Sequence, residues 1–328
     1  KKDGYIYFDT PETFVNGNVV IVAIDKELGY DQIEADADKR ITNAEVLWSW
    51  NIVFSEGYDP DAAENWIVKG GYTWMNRDLG ALIDPEQAYI GGQLNNVALA
   101  STTGNCYQWG RKDPFVGAKE LGKDAPIGGA SETAAFGTQT AAYEKNTIDQ
   151  TAYAFDVIGN DDNTITDCVA YAVQHPTTFI KYVVSVGNSG VSTWFNSDLS
   201  NFSDLWGAVS GRKSVYDPCP AGYKVPVDSA EAWGGFAKAD VTSSAGSFGV
   251  TLNEAFYPCS GWRDVSGMLK QVGTYAKAAS ATAPTNQANI LQIMYYKATA
   301  AATTYTTMFS NSGKSFIAGG IPVRCVKE

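Results

Sequence analysis

Short apolar runs alternate with turn-forming residues along nearly the whole chain, a pattern of strands and not of long helices. Near the start, Tyr5-Ile6-Tyr7-Phe8 is followed by a break at Pro11 and an Asn16-Gly17-Asn18 turn. Val19-Val20-Ile21-Val22-Ala23-Ile24 then reads as a strand apolar on both faces. Such a strand needs cover on both sides, which predicts a central position. From Val46 to Phe54 the period is two: Val46, Trp48, Trp50, Ile52 and Phe54 share one face, and Ser49 and Asn51 the other. The aromatic face is expected to be the buried one. Between these strands, the acidic stretch Asp25 to Asn43, with Asp31, Glu34, Asp36 and Asp38, is longer than a hairpin loop and reads as an insertion.

From Gly70 onward, aromatic strand fragments alternate with loops rich in Gly, Asn, Ser and Asp. Two helices are predicted. One runs from about Thr166 to Gln174, capped by Thr166 or Asp167 and stopped by Pro176, with Val169, Ala172 and Val173 on one face. The other starts at Asp228 or Ser229, with Glu231 as capping-box partner and Trp233, Phe236 and Ala237 at helical spacing. Three stretches rich in Ala, Thr, Ser and Gly (Gly128 to Ala142, Ala276 to Asn289 and Ala298 to Thr307) carry little apolar bulk and are expected to be surface loops or exposed strands. No solenoid or propeller period is present. The reading is an irregular, loop-rich α+β chain with a β-rich leading segment.

Composition narrows the function classes. The 328 residues are 45% hydrophobic and only 18% charged, enough apolar surface to offset the entropy of ordering, which excludes a disordered chain. A net charge of -12, with basic residues occurring singly or in pairs such as Arg111-Lys112 and Arg212-Lys213, argues against nucleic acid and anionic lipid as partners. No apolar run reaches the ~20 residues of a membrane helix. The chain opens Lys1-Lys2-Asp3-Gly4 without a leader pattern, so any export signal is expected to have been removed or to lie outside this sequence. The five cysteines (Cys106, Cys168, Cys219, Cys259 and Cys325) include no C-x-x-C pair, which leaves disulfides or inert buried thiols, at least one of them outside any internal pair.

Four blocks occur in order: Tyr72-Thr73-Trp74-Met75-Asn76-Arg77-Asp78-Leu79-Gly80-Ala81; Tyr107-Gln108-Trp109-Gly110-Arg111-Lys112-Asp113-Pro114-Phe115; Tyr216-Asp217-Pro218-Cys219-Pro220-Ala221-Gly222-Tyr223-Lys224-Val225-Pro226; and Gly320-Ile321-Pro322-Val323-Arg324-Cys325-Val326-Lys327. Together they resemble the Fibrobacter succinogenes major paralogous domain found in Bacteroidetes surface lipoproteins and fimbrial tip proteins. Val46-Leu47-Trp48-Ser49-Trp50 is similar to the segment that introduces that domain in fimbrial members. The resemblance implies a C-type-lectin-like fold related to the formylglycine-generating enzymes, with residues 1–69 as a β-rich leading segment and 70–328 as the domain proper. It also implies a Cys219–Cys325 disulfide. One departure stands out: where many members carry a Tyr-Trp-Ser-Ser-like surface motif, this chain has Tyr275-Ala276-Lys277-Ala278-Ala279-Ser280.

Few residues offer chemistry. His175, directly before Pro176, reads as a helix-terminal residue and not a general base, since no nucleophile motif accompanies it. The related enzymes use two closely spaced reactive cysteines near the C-terminus, whereas Cys325 is solitary. Calcium is a weak expectation at Asp161, Asp162 and Asn163, at Asp31 to Asp38, or at Asp59, Asp61 and Glu64, none of which has the spacing of a calcium loop. Of the nine Trp residues, Trp48, Trp50, Trp74, Trp109 and Trp233 read as core. Trp194, Trp206 and Trp262, set among polar residues, are expected to be exposed, and with Arg263 and Asp264 they form the candidate contact surface. The expected function is a non-catalytic surface recognition or adhesion module, extracellular and associated with fimbriae, meeting a host or bacterial glycan or protein or other fimbrial subunits. The alternatives are a carbohydrate-binding protein of nutrient capture and an enzyme of the formylglycine-generating type.

Overall fold

The computed structural model describes residues 16–35, 41–84, 89–90, 93–94, 101–118, 156–159, 167–182, 193–195, 203–242, 248–296 and 306–328. In chain order, β1 (Gly17–Ile24) and β2 (Val46–Phe54) form an antiparallel hairpin, and β3 (Trp66–Lys69) and β4 (Tyr72–Met75) form the next. Gly70 and Gly71 turn this second hairpin with φ of 64° and 82°, the left-handed pair that a tight two-residue connection requires. β5 (Tyr89–Ile90) pairs with β6 (Gln93–Leu94), and β7 (Cys106–Gln108) follows. β8 (Asp156–Gly159) and β9 (Thr178–Lys181) are parallel, linked through α1 (Cys168–Gln174). After β10 (Tyr223–Lys224) come α2 (Ser229–Ala232) and the antiparallel strands β11 (Val241–Thr242), β12 (Gly249–Leu252) and β13 (Ala255–Pro258). β14 (Trp262–Arg263) pairs with β15 (Leu269–Lys270); β16 (Tyr275–Ala279), β17 (Gln287–Tyr296) and β18 (Thr306–Phe316) form a meander; β19 (Gly320–Pro322) and β20 (Val326–Lys327) end the chain. The fold is a β-rich α+β architecture.

Closure comes from the C-terminus. β20 lies inside the four-stranded order β10-β20-β4-β3, and β19 inside β15-β14-β19-β7, so the last residues are flanked on both sides in two sheets. Val323, Arg324, Cys325 and Val326 are all fully buried there. The domain boundary read at residue 69 falls inside the β3–β4 hairpin, whose second strand pairs with β20.

Both predicted helices form at their caps. The Asp167 carboxylate accepts from Val169 N (2.9 Å) and Ala170 N (3.2 Å); Thr166 lies outside the described residues. Asp228 accepts from Ala230 N (2.9 Å) and Glu231 N (3.3 Å). Glu231 does not close a capping box; its carboxylate accepts from Tyr72 OH at 3.0 Å. This helix stops at Trp233, so Ala237 is exposed and not on a helical face. Gly234-Gly235 ends it, and Gly235 lies too close to Gly70 for a side chain.

Three expectations are corrected. β1 is not central: among the described residues it pairs only with β2, and none of its residues is buried. The β1–β2 hairpin is also turned the other way from the aromatic reading. Val22↔Ser49 and Val20↔Asn51 are opposite pairs, and that face meets the body of the protein through Ser49 Oγ and Asp113 (2.6 Å) and through Asn18 and Asn105 (3.2 Å). Ser49 is 1% exposed, whereas Trp50 is 37% and Val19 47% exposed. The buried carboxylate of Asp113 needs donors, and Ser49 supplies one that an apolar residue could not. Third, the Ala-rich stretch at 276 is no surface loop, because every residue of β16 is buried. Small side chains there let the β16–β17 sheet lie against Trp74, Trp233 and Tyr257. Gly128 to Ala142 lies outside the described residues, as does all of Ala298 to Thr307 except the first two residues of β18.

Candidate functional site

The four motif blocks build a frame before they build a site. Arg324, from the last block, donates through Nε to Asp78 Oδ1 of the first block (2.9 Å), and its second nitrogen lies 2.8 Å from the same oxygen. The pair is enclosed, 0% and 2% exposed at the side chains, and the guanidinium also stacks on Tyr257 at 3.6 Å and donates to Phe256 O at 2.7 Å. Burial pushes the Asp78 carboxyl above its ordinary range while the Arg324 charge pulls it back. Burial opposes the charge on Arg324, but Asp78 and Tyr257 together hold the guanidinium above its ordinary pKa.

In the third block, Asp217 Oδ1 accepts from Cys219 N and Lys213 Nζ, each at 2.8 Å, and Oδ2 accepts from Val225 N at 2.9 Å. That loop presents Cys219 to Cys325, and the two form a disulfide with Cα atoms 5.9 Å apart across 106 residues. The second block contributes Gln108, whose amide donates to Ile180 O (2.9 Å) and Ala318 O (2.8 Å), and Arg111, which donates to Gln108 Oε1 (3.0 Å) and Thr178 O (2.7 Å).

Inside this frame lies a cleft of about 430 Å³. One wall is the end of β2, from Asn51 through Phe54 to Ser55; the others are Tyr58 and Pro60, the Met75 and Arg77-to-Ala81 stretch of the first block, and Pro218 and Pro220 beside the disulfide. Arg77 is the central polar group and only 5% exposed. Its guanidinium stacks 3.6 Å from the Tyr58 ring centroid, donates to Ser55 Oγ at 3.1 Å and pairs with Asp84. Arg77 Nε, Tyr58 OH and Asn51 Oδ1 are buried without hydrogen-bond partners, an arrangement that costs stability unless something else satisfies them. Burial raises the Tyr58 phenol to about 12, against the pull of Arg77 and Arg324, so it is a neutral donor and acceptor at physiological pH. The cleft therefore has apolar walls, two internally paired ion pairs and, buried behind its surface, three unsatisfied polar atoms.

The residues expected to form a contact surface lie elsewhere and are mostly enclosed. Trp194 and Trp206 are 1% and 2% exposed. Their indole nitrogens donate to Trp109 O (2.7 Å) and Arg111 O (3.2 Å), which is how rings from polar sequence surroundings are buried without an orphaned donor. Arg263 is likewise buried, clamping Val116 O through two nitrogens (3.0 and 2.8 Å) and Gly267 O through a third (2.6 Å). Asp264 is spent on its own turn, accepting from Ser266 N (2.9 Å) and Met268 N (3.1 Å). Trp262 is half-buried, with Lys277 Nζ 3.1 Å from its ring centroid and Tyr275 edge-on at 5.4 Å. The surface expected at 275–280 is thus interior packing. Trp74, Trp109 and Trp233 are core as read; Trp48 is half-buried, 6.0 Å from Tyr216.

Cys106, Cys168 and Cys259 are buried and stand outside the disulfide, and burial pushes the Cys106 thiol up to about 11, far from a reactive thiolate. His175 closes α1 and stacks on Tyr171 at 4.0 Å. Asp161, Asp162, Asn163, Asp36 and Asp38 lie outside the described residues. Asp59 accepts from Asp61 N at 2.9 Å as a simple turn. Among the described residues, no three His, Cys, Asp or Glu side chains gather as metal ligands, and no helix is long and apolar enough to cross a membrane.

Sequence reasoning missed Arg77, Tyr58 and Asn51 as a group. Arg77 stood inside a motif block, but nothing in its spacing indicated that Tyr58 and the end of β2 would face it. Compared with protein-family models, with curated proteins and with solved structures, the chain matches none.

Proposed function

We propose that this chain is a non-catalytic recognition module of the bacterial surface, an adhesion component associated with fimbriae, in which a C-type-lectin-like frame presents the Arg77–Tyr58 cleft to a surface glycan or protein. The observation that carries this reading is the state of the cleft's ionisable groups. Asp78 is locked to Arg324, Arg77 is held by Ser55 and Asp84, and Tyr58 stays neutral up to about 12. Groups so placed hold a ligand well and transfer protons poorly near neutral pH. The disulfide and the buried ion pair brace the walls, which favours a preformed site. The resemblance of the four motif blocks supports the surface and fimbrial setting.

The test is binding of the purified chain to a glycan array and to intact host and bacterial cells, alongside a Ser55→Trp variant that fills the cleft. Saturable binding lost in the variant is expected; covalent turnover of any bound compound would overturn the reading. Carbohydrate capture is kept as a second reading because Trp50, 37% exposed on the outer face of the hairpin, offers a flat aromatic surface. Glycan binding abolished by Trp50→Ala and untouched by Ser55→Trp would favour it.

A further inference from the structure

The cleft meets β2 in a way that specifies the shape of its ligand. Its wall includes five consecutive residues, Asn51 to Ser55. Side chains of a strand alternate between faces, so a cavity lying over one face would touch every second residue; a cavity touching all of them meets the strand from its edge. β1 occupies one edge of β2 along the whole register from Gly17↔Phe54 to Ala23↔Trp48. The cleft therefore runs along the other edge, where no strand pairs among the described residues.

In an antiparallel ladder, alternate residues direct their N–H and C=O groups to the partner strand and the rest direct theirs away. Whichever set faces β1, either Ile52 or both Asn51 and Val53 turn backbone groups toward the cleft, and no other backbone bond takes them up among the described residues. On the facing wall part of the backbone is already engaged. Met75 N donates to Cys325 O (3.0 Å), Leu79 N to Val323 O (2.8 Å) and Ala81 N to Asp78 O (3.0 Å), while Pro218 and Pro220 carry no N–H. An open ladder on one wall, opposite apolar side chains and neutralised charges, is complementary to a peptide backbone with uncharged, apolar side chains.

We infer that the cleft binds an extended apolar peptide segment of a partner protein, added as a third strand on the free edge of β2. This rests on the recognition reading above and names the ligand class of the same site. Asn51 to Phe54 of β2, with Ser55 after it, give a contact of roughly 17 Å at about 3.4 Å per residue, room for a strand of about five residues.

The experiment pans a phage-displayed library of random octapeptides against the full chain. Enriched sequences are then synthesised with blocked ends, in two further versions carrying N-methyl groups on alternate backbone amides in either register. Enrichment of alternating β-branched and aromatic sequences is expected, with affinity falling about tenfold or more in one methylated register and little in the other. Amide hydrogen exchange within residues 51–53 should slow on binding. Failure to enrich any peptide, equal tolerance of methylation in both registers, or protection confined to other residues would each overturn the inference. A glycan array run in parallel separates the two levels: sugar binding blocked by Ser55→Trp without peptide binding refutes the strand addition and leaves the recognition reading intact. The same protection at 51–53 appearing without peptide, together with a dimer by analytical ultracentrifugation, would make a second copy the occupant and refute the partner assignment.

Discussion

Removing Asp78 should be among the most damaging single changes available in this chain. Asp78→Ala leaves the Arg324 guanidinium, 0% exposed, with only the Phe256 carbonyl and the Tyr257 ring as partners. Breaking one side of a buried pair typically costs about 3–5 kcal/mol, because the surviving charge remains desolvated. Against a native stability of roughly 5–15 kcal/mol, that is about a fifth of the total or more. With an m-value of about 3 kcal/mol/M in urea, the midpoint should fall by about 1–1.7 M. Tryptophan fluorescence and far-ultraviolet dichroism, which must coincide for the analysis to hold, report it. The companion variant Asp78→Leu with Arg324→Met replaces both charges by apolar groups of similar size and should recover most of the loss. Asp78→Ala falling within about 1 kcal/mol of the parent, or the double variant being no better than the single, would refute the view that paired burial and not charge as such is what holds the C-terminus in place.

Reduction and alkylation should add mass at Cys219 and Cys325 that is absent without reductant, and replacing both by Ala should lower stability by up to about 4–5 kcal/mol, the loop-closure figure for a 106-residue span; unchanged labelling on reduction would exclude the bond. Tyr58, whose folded pKa is raised from 10.0 to about 12, contributes stability in full below pH 10 and loses it as pH climbs through about 12. Tyr58→Phe lacks that slope and discards an unpartnered hydroxyl, so it should match or exceed the parent at pH 8 and gain on it by roughly 2 kcal/mol between pH 10 and 12; a constant difference across that range in paired urea melts would be the contrary result. Ser49→Val, which removes the 2.6 Å bond to buried Asp113, should cost about 1–3 kcal/mol, and Val19→Thr, at a position 47% exposed, less than about 0.5 kcal/mol, the reverse of what the apolar pattern alone predicts. Gly207 has φ 75° and a Cβ there would overlap the Arg212 carbonyl oxygen, whereas Gly211, at φ 68°, faces open space. Gly207→Ala should therefore cost clearly more than the roughly 1 kcal/mol expected for Gly211→Ala, and equal thermal midpoints would contradict the packing described.

Local rules carried the sequence reading as far as local rules reach. Asp167 and Asp228 were legible as helix caps because a side-chain carboxylate and two amides in one turn are all the motif needs. The period of β2 was legible too, since alternation belongs to the strand itself. Which face turns inward is decided elsewhere in the chain: Asp113, 64 residues away, requires a donor at Ser49, and that requirement outweighs the apolar gain of burying Trp50. The same holds for Trp194 and Trp206, whose polar neighbours in sequence are not their neighbours in space. Their rings go inside because backbone carbonyls of Trp109 and Arg111 are there to receive the indole N–H. β16 was misread for the opposite reason: small residues lack bulk for a core of their own, but they let a sheet approach Trp74 and Trp233 closely.

The asymmetry between frame and site has a physical source. Asp78 and Arg324 meet across 246 residues, and each must satisfy its charge, its hydrogen bonds and its volume at once, so neither can be replaced alone by a residue of different chemistry. Residues constrained in that way tie particular side-chain chemistry to particular places in the chain. The edge of β2 works differently. There the contact groups are the N–H and C=O of alternate residues, Ile52 or else Asn51 and Val53, which every residue but proline carries, so a ligand held by a backbone ladder imposes almost no choice of side chain on the strand that holds it. A site of this kind leaves no motif to find. It becomes visible only once the fold has shown which edge is left open and what the walls around it already bond.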